Sequence, residues 1–229
     1  MLQLTRARRL LLGLGLALMA AFALLASEVL EAETTPLDEA GLQLAQQWRA
    51  ASPQVEIVMR DLSGLGSGVA LTLFTVATVG YLWLLRQRRL AAMVGASMAL
   101  GECVVTALKA GIGRSRPDPA LAAFVQHGLS FPSGHTSMSA IFFLTAGVLL
   151  AQHVPRTAMR TYVMTAAVLC TGLIGLSRIA LGVHWASDVL AGWAFGAGWA
   201  ALWLCAALPL IRARSLSLPP TASSGLADT

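Results

Sequence analysis

The stretch PSGHTSMSAIFFLTAGVLLAQ, residues 132–152, sets a polar tetrapeptide directly before an apolar run. The apolar run approaches the length of about 20 residues that an α-helix needs to cross a bilayer. Ser133 is a favourable N-cap residue, and a helix that begins there directs its free N–H groups and the positive end of its dipole at an anion. This stretch therefore predicts a membrane helix with an anion site at its first turn.

The composition places the whole chain in a membrane. Of 229 residues, 56% are hydrophobic and 12% are charged, and the mean hydropathy is +0.70. Soluble domains have about 25% charged residues, so a soluble class is excluded. The net charge of +5 and the pI near 9.9 would suggest nucleic acid for a soluble protein. In a membrane protein the cations are first assigned to sides of the bilayer, and we expect no nucleic-acid partner.

In addition to the run at 136–152, five further stretches are apolar enough to cross a bilayer. They lie at roughly 10–30, 67–85, 91–108, 162–177 and 184–206. We therefore expect one all-α domain, residues 1–214, built as a bundle of six transmembrane helices, and a disordered cytoplasmic tail at 215–229. The arginine-rich start of the first span also fits a cleaved signal peptide, and this alternative stays open.

The basic residues predict the orientation of the bundle. With the N-terminus in the cytoplasm, ten of the 16 basic residues fall in inner segments and six in outer ones. The positive-inside rule then places both termini in the cytoplasm. Three polar segments face outward under this topology: Lys109–Pro117, Pro132–His135 and Ser177–Asp188. We expect the outer face of a bacterial inner membrane to carry the functional site.

The segment Lys109–Pro117 supplies a cluster of cations at the outer end of the third span. Its glycines allow a tight turn and Pro117 discourages further helix, so Lys109, Arg114 and Arg116 are predicted to converge. Guanidinium groups offer paired donors and the lysine offers a point charge, which together suit a phosphate. The alternative is a set of flanking cations that meets lipid headgroups.

The segment Ser177–Asp188 supplies an imidazole and a carboxylate. His184 and Asp188 are four residues apart and, on a helix, share a face. A carboxylate bound to one imidazole nitrogen fixes the tautomer and leaves the other nitrogen as a nucleophile. His135 can carry a proton near neutral pH and can act as a general acid. Further metal ligands at suitable spacing are missing, so we expect neither a metal nor another cofactor.

Two further features have open interpretations. Residues 35–39, Thr-Pro-Leu-Asp-Glu, have the composition of a helix start, and the amphipathic stripe that follows fits an interfacial helix or a connecting helix packed over the bundle. Glu102 lies two turns before Lys109 and either lines a pocket, pairs with a cation or makes a hydrogen bond inside the bundle. Gly192-x3-Gly196 predicts close helix packing.

The patterns K-x6-R-P, P-S-G-H and S-R-x5-H-x3-D together resemble the signature of the type 2 phosphatidic acid phosphatase superfamily. That superfamily also includes vanadium haloperoxidases and glucose-6-phosphatase. The chain matches the signature at every defined position. The resemblance implies an all-α fold and a metal-independent phosphatase reaction that passes through a phosphohistidine.

The resemblance also implies roles for individual residues. His184 is expected to attack phosphorus, Asp188 to orient His184, and His135 to protonate the leaving oxygen. The residues expected to bind the phosphate are Lys109, Arg116, Ser133, Gly134 and Arg178. The residues expected to support the site are Arg114, Ser177 and Glu102.

The function expected from this resemblance is hydrolysis of a lipid phosphate or diphosphate by a membrane-integral enzyme. Candidate substrates are undecaprenyl diphosphate, phosphatidylglycerol phosphate, phosphatidic acid and lipid A phosphate, and the resemblance favours the first or a broad specificity. The alternatives are transfer of the phosphoryl group to another lipid or sugar, vanadate-dependent halide oxidation, and lipid transport without catalysis.

Overall fold

The computed structural model describes residues 2–31 and 35–215, with the side chains of 2–5 and 212–215 excepted. The predicted tail at 215–229 lies outside these residues, except for Ser215 at the end of the last helix. The described chain is helical apart from its connections and a short 3₁₀ turn, Pro119–Leu121. Its helices are α1 Leu2–Glu31, α2 Pro36–Ala51, α3 Pro53–Gly64, α4 Gly68–Leu84, α5 Arg88–Ile112, α6 Gly134–Ala151, α7 Thr157–Ala180 and α8 Ala186–Ser215.

Six helical stretches within the described residues are long and apolar enough to cross a membrane, and the chain is a multi-pass membrane protein. The all-α bundle of six spans expected from the sequence is confirmed. Several helix boundaries differ from the prediction. The fifth span, α7, extends beyond 162–177 at both ends, and α8 begins at Ala186 rather than at residue 184. A count of apolar residues does not detect these boundaries, because polar residues lie at the ends of the helices.

Two glycines bring α8 against α6. A Cβ added at Gly192 would collide with the Thr136 side chain, and one added at Gly196 would collide with the backbone of Ser137. Small residues permit close backbone approach of this kind, as the Gly192-x3-Gly196 spacing predicts. At the same end, Ser133 N–H donates to the Asp188 carbonyl at 3.1 Å. The first turns of α6 and α8 are thereby fixed beside each other.

The helix α2 packs over one end of the bundle. Its start is a capping box: Thr35 Oγ1 accepts from Asp38 N–H at 3.3 Å, and the Asp38 carboxylate accepts from Thr35 N–H at 3.2 Å. The helix contacts α7 and α8, and its Ala45 is buried, while Leu44 on the outer side is 44% exposed. The helix therefore packs over the bundle, as the interpretation of this segment as a connecting helix expects.

The end of α5 is set by backbone conformation. Gly113 follows the helix with a φ of 71°, in the left-handed region that glycine adopts without a steric penalty, and its N–H donates to the Lys109 carbonyl at 2.9 Å. Lys109 consequently lies in the last turn of α5. The chain then runs irregularly from 113 to 133 before α6 begins.

Candidate active site

His184 and Asp188 form a buried pair at the end of the bundle covered by α2. His184 Nδ1 lies 3.1 Å from Asp188 Oδ2, and both residues are almost completely shielded from solvent. The predicted shared helical face is wrong, because His184 lies in the turn before α8. Asp188 lies in the first turn of α8, where its carboxylate also accepts from Trp185 N–H at 2.9 Å. A carboxylate at this position satisfies a helix N-terminus and complements its dipole.

The other nitrogen of His184 faces a cation. Arg116 Nη1 lies 3.0 Å from His184 Nε2. A guanidinium only donates, so Nε2 accepts and Nδ1 carries the proton that Asp188 binds. Burial lowers the pKa of the His184 imidazole from 6.5 to about 3, against the opposing effect of the hydrogen bond to Asp188. At neutral pH the imidazole is therefore uncharged, with its Nε2 lone pair directed at the cations.

Backbone carbonyls hold two of the predicted phosphate-binding cations in place. Arg116 donates to the carbonyls of Gly128 at 2.9 Å and Val183 at 2.7 Å, while Lys109 Nζ donates to those of Leu129 at 2.9 Å and Ser130 at 3.2 Å. Neutral carbonyls position a cation without cancelling its charge. Burial lowers the pKa of the Arg116 guanidinium below its usual value.

Arg178 extends from the last turn of α7 and is 2% exposed. Its Nη1 donates to Ser63 Oγ at 2.6 Å and its Nη2 to Gln126 Oε1 at 3.2 Å. Within the described part of the chain, its Nε has no hydrogen-bond partner. A buried guanidinium donor without an acceptor is costly and is what a site for an anionic oxygen presents before the anion binds.

The first turn of α6 completes the arrangement. Ser133 is the N-cap and is fully buried, and its Oγ accepts from Thr136 Oγ1 at 2.9 Å rather than from a backbone N–H. A Cβ added at Gly134 would lie 3.8 Å from Lys109 Cε, so the turn adjoins that lysine. His135 is close enough to Lys109, Arg116, Arg178 and His184 to interact electrostatically with each. The helix dipole, three cations and two imidazoles thus meet in one place.

Two predicted supporting residues have other partners. The Ser177 hydroxyl donates to the Ile174 carbonyl of its own helix at 2.6 Å. Arg114 does not join the phosphate-binding cations, because its Nη1 donates to Asp188 Oδ1 at 2.8 Å and its Nη2 to Asp38 Oδ2 at 2.7 Å. Pairing with two buried carboxylates satisfies its charge, so Arg114 supports the site through Asp188.

Three residues with no predicted role in the site join the hydrogen bonds around Arg114 and Asp188; they are Asp38, Ser130 and Ser187. Asp38 accepts from Ser187 N–H and Oγ, each at 2.8 Å, in addition to Arg114. The Ser130 hydroxyl donates to Asp188 Oδ2 and lies 3.3 Å from His184 Nδ1. The acidic first turn of α2 indicates only a helix start, and Ser130 lies just outside the P-S-G-H motif. The sequence therefore contains no pattern that indicates the role of Asp38 or of Ser130 in the site.

Ser130→Ala tests this hydrogen bond. A hydrogen bond to a charged group contributes about 1.5–3 kcal/mol, so a reaction that relies on the orientation of Asp188 and His184 should slow by about 10- to 100-fold in kcat. KM should change little, because the hydroxyl is bound to Asp188. The matched control is Ser137→Ala, which removes a buried hydroxyl that has no hydrogen-bond partner in the described chain. An effect confined to KM would contradict the assignment.

Comparison with known proteins identifies relatives. A family model described as the PAP2 superfamily matches residues 90–211. A decaprenylphosphoryl-5-phosphoribose phosphatase of Mycobacterium tuberculosis is 31% identical over 170 residues, which cover 72% of this chain and 89% of that protein. A phosphatidylglycerophosphatase B of Bacillus subtilis is 37% identical over 39% of this chain. A lipid A 1-phosphatase of Rhizobium johnstonii is 35% identical, also over 39% of this chain.

The matches to the last two proteins span 44% and 36% of their respective lengths. A solved structure gives a longer match. The crystal structure of a transmembrane PAP2 type phosphatidylglycerolphosphate phosphatase from Bacillus subtilis superposes with a TM-score of 0.74 at 25% sequence identity. The superposition covers 90% of this chain and 98% of that one.

Proposed function

Because the chain belongs to the PAP2 superfamily, we propose that it is a membrane-integral phosphatase that hydrolyses a lipid phosphate or diphosphate through a phosphohistidine. One observation carries this proposal: the buried, neutral His184 is held by Asp188 on one side and directs Nε2 at Arg116 on the other. Phosphoryl transfer depends on positioning and on charge stabilisation, and fixed cations supply both.

Binding of the phosphate is the first step. Its oxygens accept hydrogen bonds from Lys109 and Arg116, and from Nε of Arg178, which has no partner in the described part of the chain. The N–H groups at the start of α6 add further donors, and Gly134 permits close approach. As Arg116 turns toward the phosphate oxygens, it releases Nε2 of His184. The lone pair then faces phosphorus.

Transfer and hydrolysis follow. The Nε2–P bond forms as the bond from phosphorus to the leaving oxygen breaks, and His135 gives that oxygen a proton. Asp188 holds Nδ1–H throughout and stabilises the positive charge that develops on the ring. In the second half, His135 takes a proton from water, water oxygen attacks phosphorus, and the N–P bond breaks. Inorganic phosphate leaves, and both imidazoles return to their starting states.

We place this reaction at the outer face of a bacterial inner membrane, in a single domain of residues 1–214 with both termini in the cytoplasm. The supporting observation is the excess of basic residues in the segments opposite the site. A site at a bundle end suits a substrate whose tail stays in lipid. The names of the relatives, which include a phosphoribose and a glycerophosphate lipid, support a lipid-linked phosphate. Among individual substrates, the preference for undecaprenyl diphosphate or for a broad specificity rests on the sequence resemblance alone.

The test is release of inorganic phosphate by the purified protein from a panel of lipid phosphates and diphosphates in mixed micelles. We expect release without any acceptor lipid or sugar, and at an undiminished rate in EDTA, because fixed cations stabilise the transferred group. Phosphate that leaves the substrate only when an acceptor is present would instead indicate a phosphotransferase. Strict dependence on added divalent metal would contradict the proposed mechanism.

A further inference from the structure

A groove of about 610 Å³ opens between α4, α5 and α6 beside the candidate active site. One end is formed by Gly134 and His135, and its walls include Leu71, Val76, Met98 and Met138. The volume is typical of a site for a small-molecule ligand. Because α4 and α5 are membrane-spanning helices, the groove joins the lipid phase to the imidazole of His135.

Glu102 lines this groove and is the only carboxylate among the described residues that do so. Its side chain is exposed, and no ion pair within the described chain includes it. Its charge nonetheless acts on Lys109, which lies seven residues further along α5, a rise of about 10 Å. A carboxylate at membrane depth is costly, and one without a protein partner indicates a functional role.

The chemistry of this carboxylate defines what it can bind. An ionised carboxylate only accepts hydrogen bonds, so it attracts hydroxyl donors and repels another anion. Thr72, exposed on the facing wall, adds a hydroxyl of its own. Since His135 protonates the leaving oxygen in the proposed reaction, the leaving group is the part of the substrate that enters this end of the groove.

We propose that Glu102 determines which leaving group the enzyme accepts. It selects a lipid whose scissile phosphate is a monoester on a neutral, hydroxyl-bearing group, of the glycerol or sugar type. It disfavours a lipid diphosphate, because the leaving group of a diphosphate is itself an anionic phosphate that approaches the Glu102 carboxylate in a medium of low dielectric constant. This inference rests on the proposed function and narrows its substrate class.

Glu102→Gln tests the proposal, because it removes the charge and keeps the shape. The measurement is the ratio of kcat/KM for lysophosphatidic acid, whose leaving group is a neutral monoacylglycerol with a free hydroxyl, to kcat/KM for undecaprenyl diphosphate in the same micelles. We expect the ratio to exceed one in the unsubstituted protein and to fall by about tenfold in Glu102→Gln, while Glu102→Asp retains most of the preference. A ratio in Glu102→Gln within about twofold of the original would overturn the inference.

Two further variants make the result specific. Cys103→Ala changes the exposed residue next to Glu102 in the sequence. Because Cys103 does not line the groove, this variant should leave the ratio unchanged. His184→Ala, assayed in parallel, distinguishes failure of the proposed function from failure of the role of Glu102. Phosphate release that persists in His184→Ala would overturn the proposed function together with this inference. An inactive His184→Ala combined with an unchanged ratio in Glu102→Gln would overturn the role of Glu102 alone.

Discussion

Replacing His184 with alanine is expected to lower kcat for phosphate release by at least about 10⁴-fold, the order of loss seen when an enzyme loses its nucleophile. The reason is geometric. Nε2 of His184 faces Arg116 at 3.0 Å while Nδ1 is held by Asp188 at 3.1 Å, so the substitution removes the nitrogen that is oriented toward the phosphate-binding cations. Water attacking directly would lack the covalent intermediate that divides the reaction into two easier steps.

The assay is steady-state hydrolysis of the best lipid substrate, combined with substrate binding by the inactive variant. Binding should persist in His184→Ala, because Lys109, Arg116 and Arg178 remain. His153→Ala is the matched control: this histidine lies beyond the opposite end of α6 from His135, where its Nδ1 contacts the Leu149 carbonyl at 2.7 Å. Full activity in His184→Ala would refute the phosphohistidine mechanism.

Replacing Arg114 with alanine is expected to lower the free energy of unfolding by about 3–5 kcal/mol, the range for breaking a buried ion pair by removal of one partner. Arg114 bridges Asp38 and Asp188 at 2.7 and 2.8 Å, and both carboxylates are fully shielded from solvent. Its loss leaves two negative charges uncompensated in the interior. Since Asp188 also holds His184, activity should fall with stability.

Thermal unfolding in detergent measures this effect. Adding Asp38→Asn to Arg114→Ala removes one of the two uncompensated charges and should restore part of the lost stability. Arg60→Ala is the matched control, because Arg60 pairs with Glu56 at 2.6 Å on the surface, where ion pairs contribute little. Equal unfolding temperatures for Arg114→Ala and Arg60→Ala would show that the buried pairs do not stabilise the fold.

Local pattern was sufficient to predict the spans and the polar segments at their ends. Apolar runs of near-membrane length identify helices independently of their neighbours, because each span satisfies its own backbone hydrogen bonds. The helix start at residues 35–39 is likewise local, since Thr35 caps the turn that contains Asp38. The segments that contain Lys109, His135 and His184 could also be predicted, because they lie at the ends of those spans.

The partners of these residues depend on contacts between distant parts of the chain. Asp38 lies 76 residues from Arg114, and Ser130 lies 58 residues from Asp188, so the sequence around either residue contains no trace of the pairing. The sequence could therefore place Arg114 only among the possible supporting residues, without showing which residues it contacts. The sequence shows Arg114 as a cation close to Arg116. Folding places two buried carboxylates against Arg114, and opposite charges attract strongly in a medium of low dielectric constant. Arg114 therefore pairs with these carboxylates instead of binding a ligand.

The sequence alone therefore determined the membrane-spanning helices and their number, and it predicted the reactive side chains, because hydrophobic length and side-chain chemistry are properties of short segments. Tertiary structure alone decided which charges are neutralised and which stay available. It enclosed Arg114 between Asp38 and Asp188 and exposed Glu102 in a groove. It also left Nε of Arg178 without a hydrogen-bond partner among the residues that the structure describes. Neutralisation of a charge requires proximity in three dimensions, which only the packing of the helices provides.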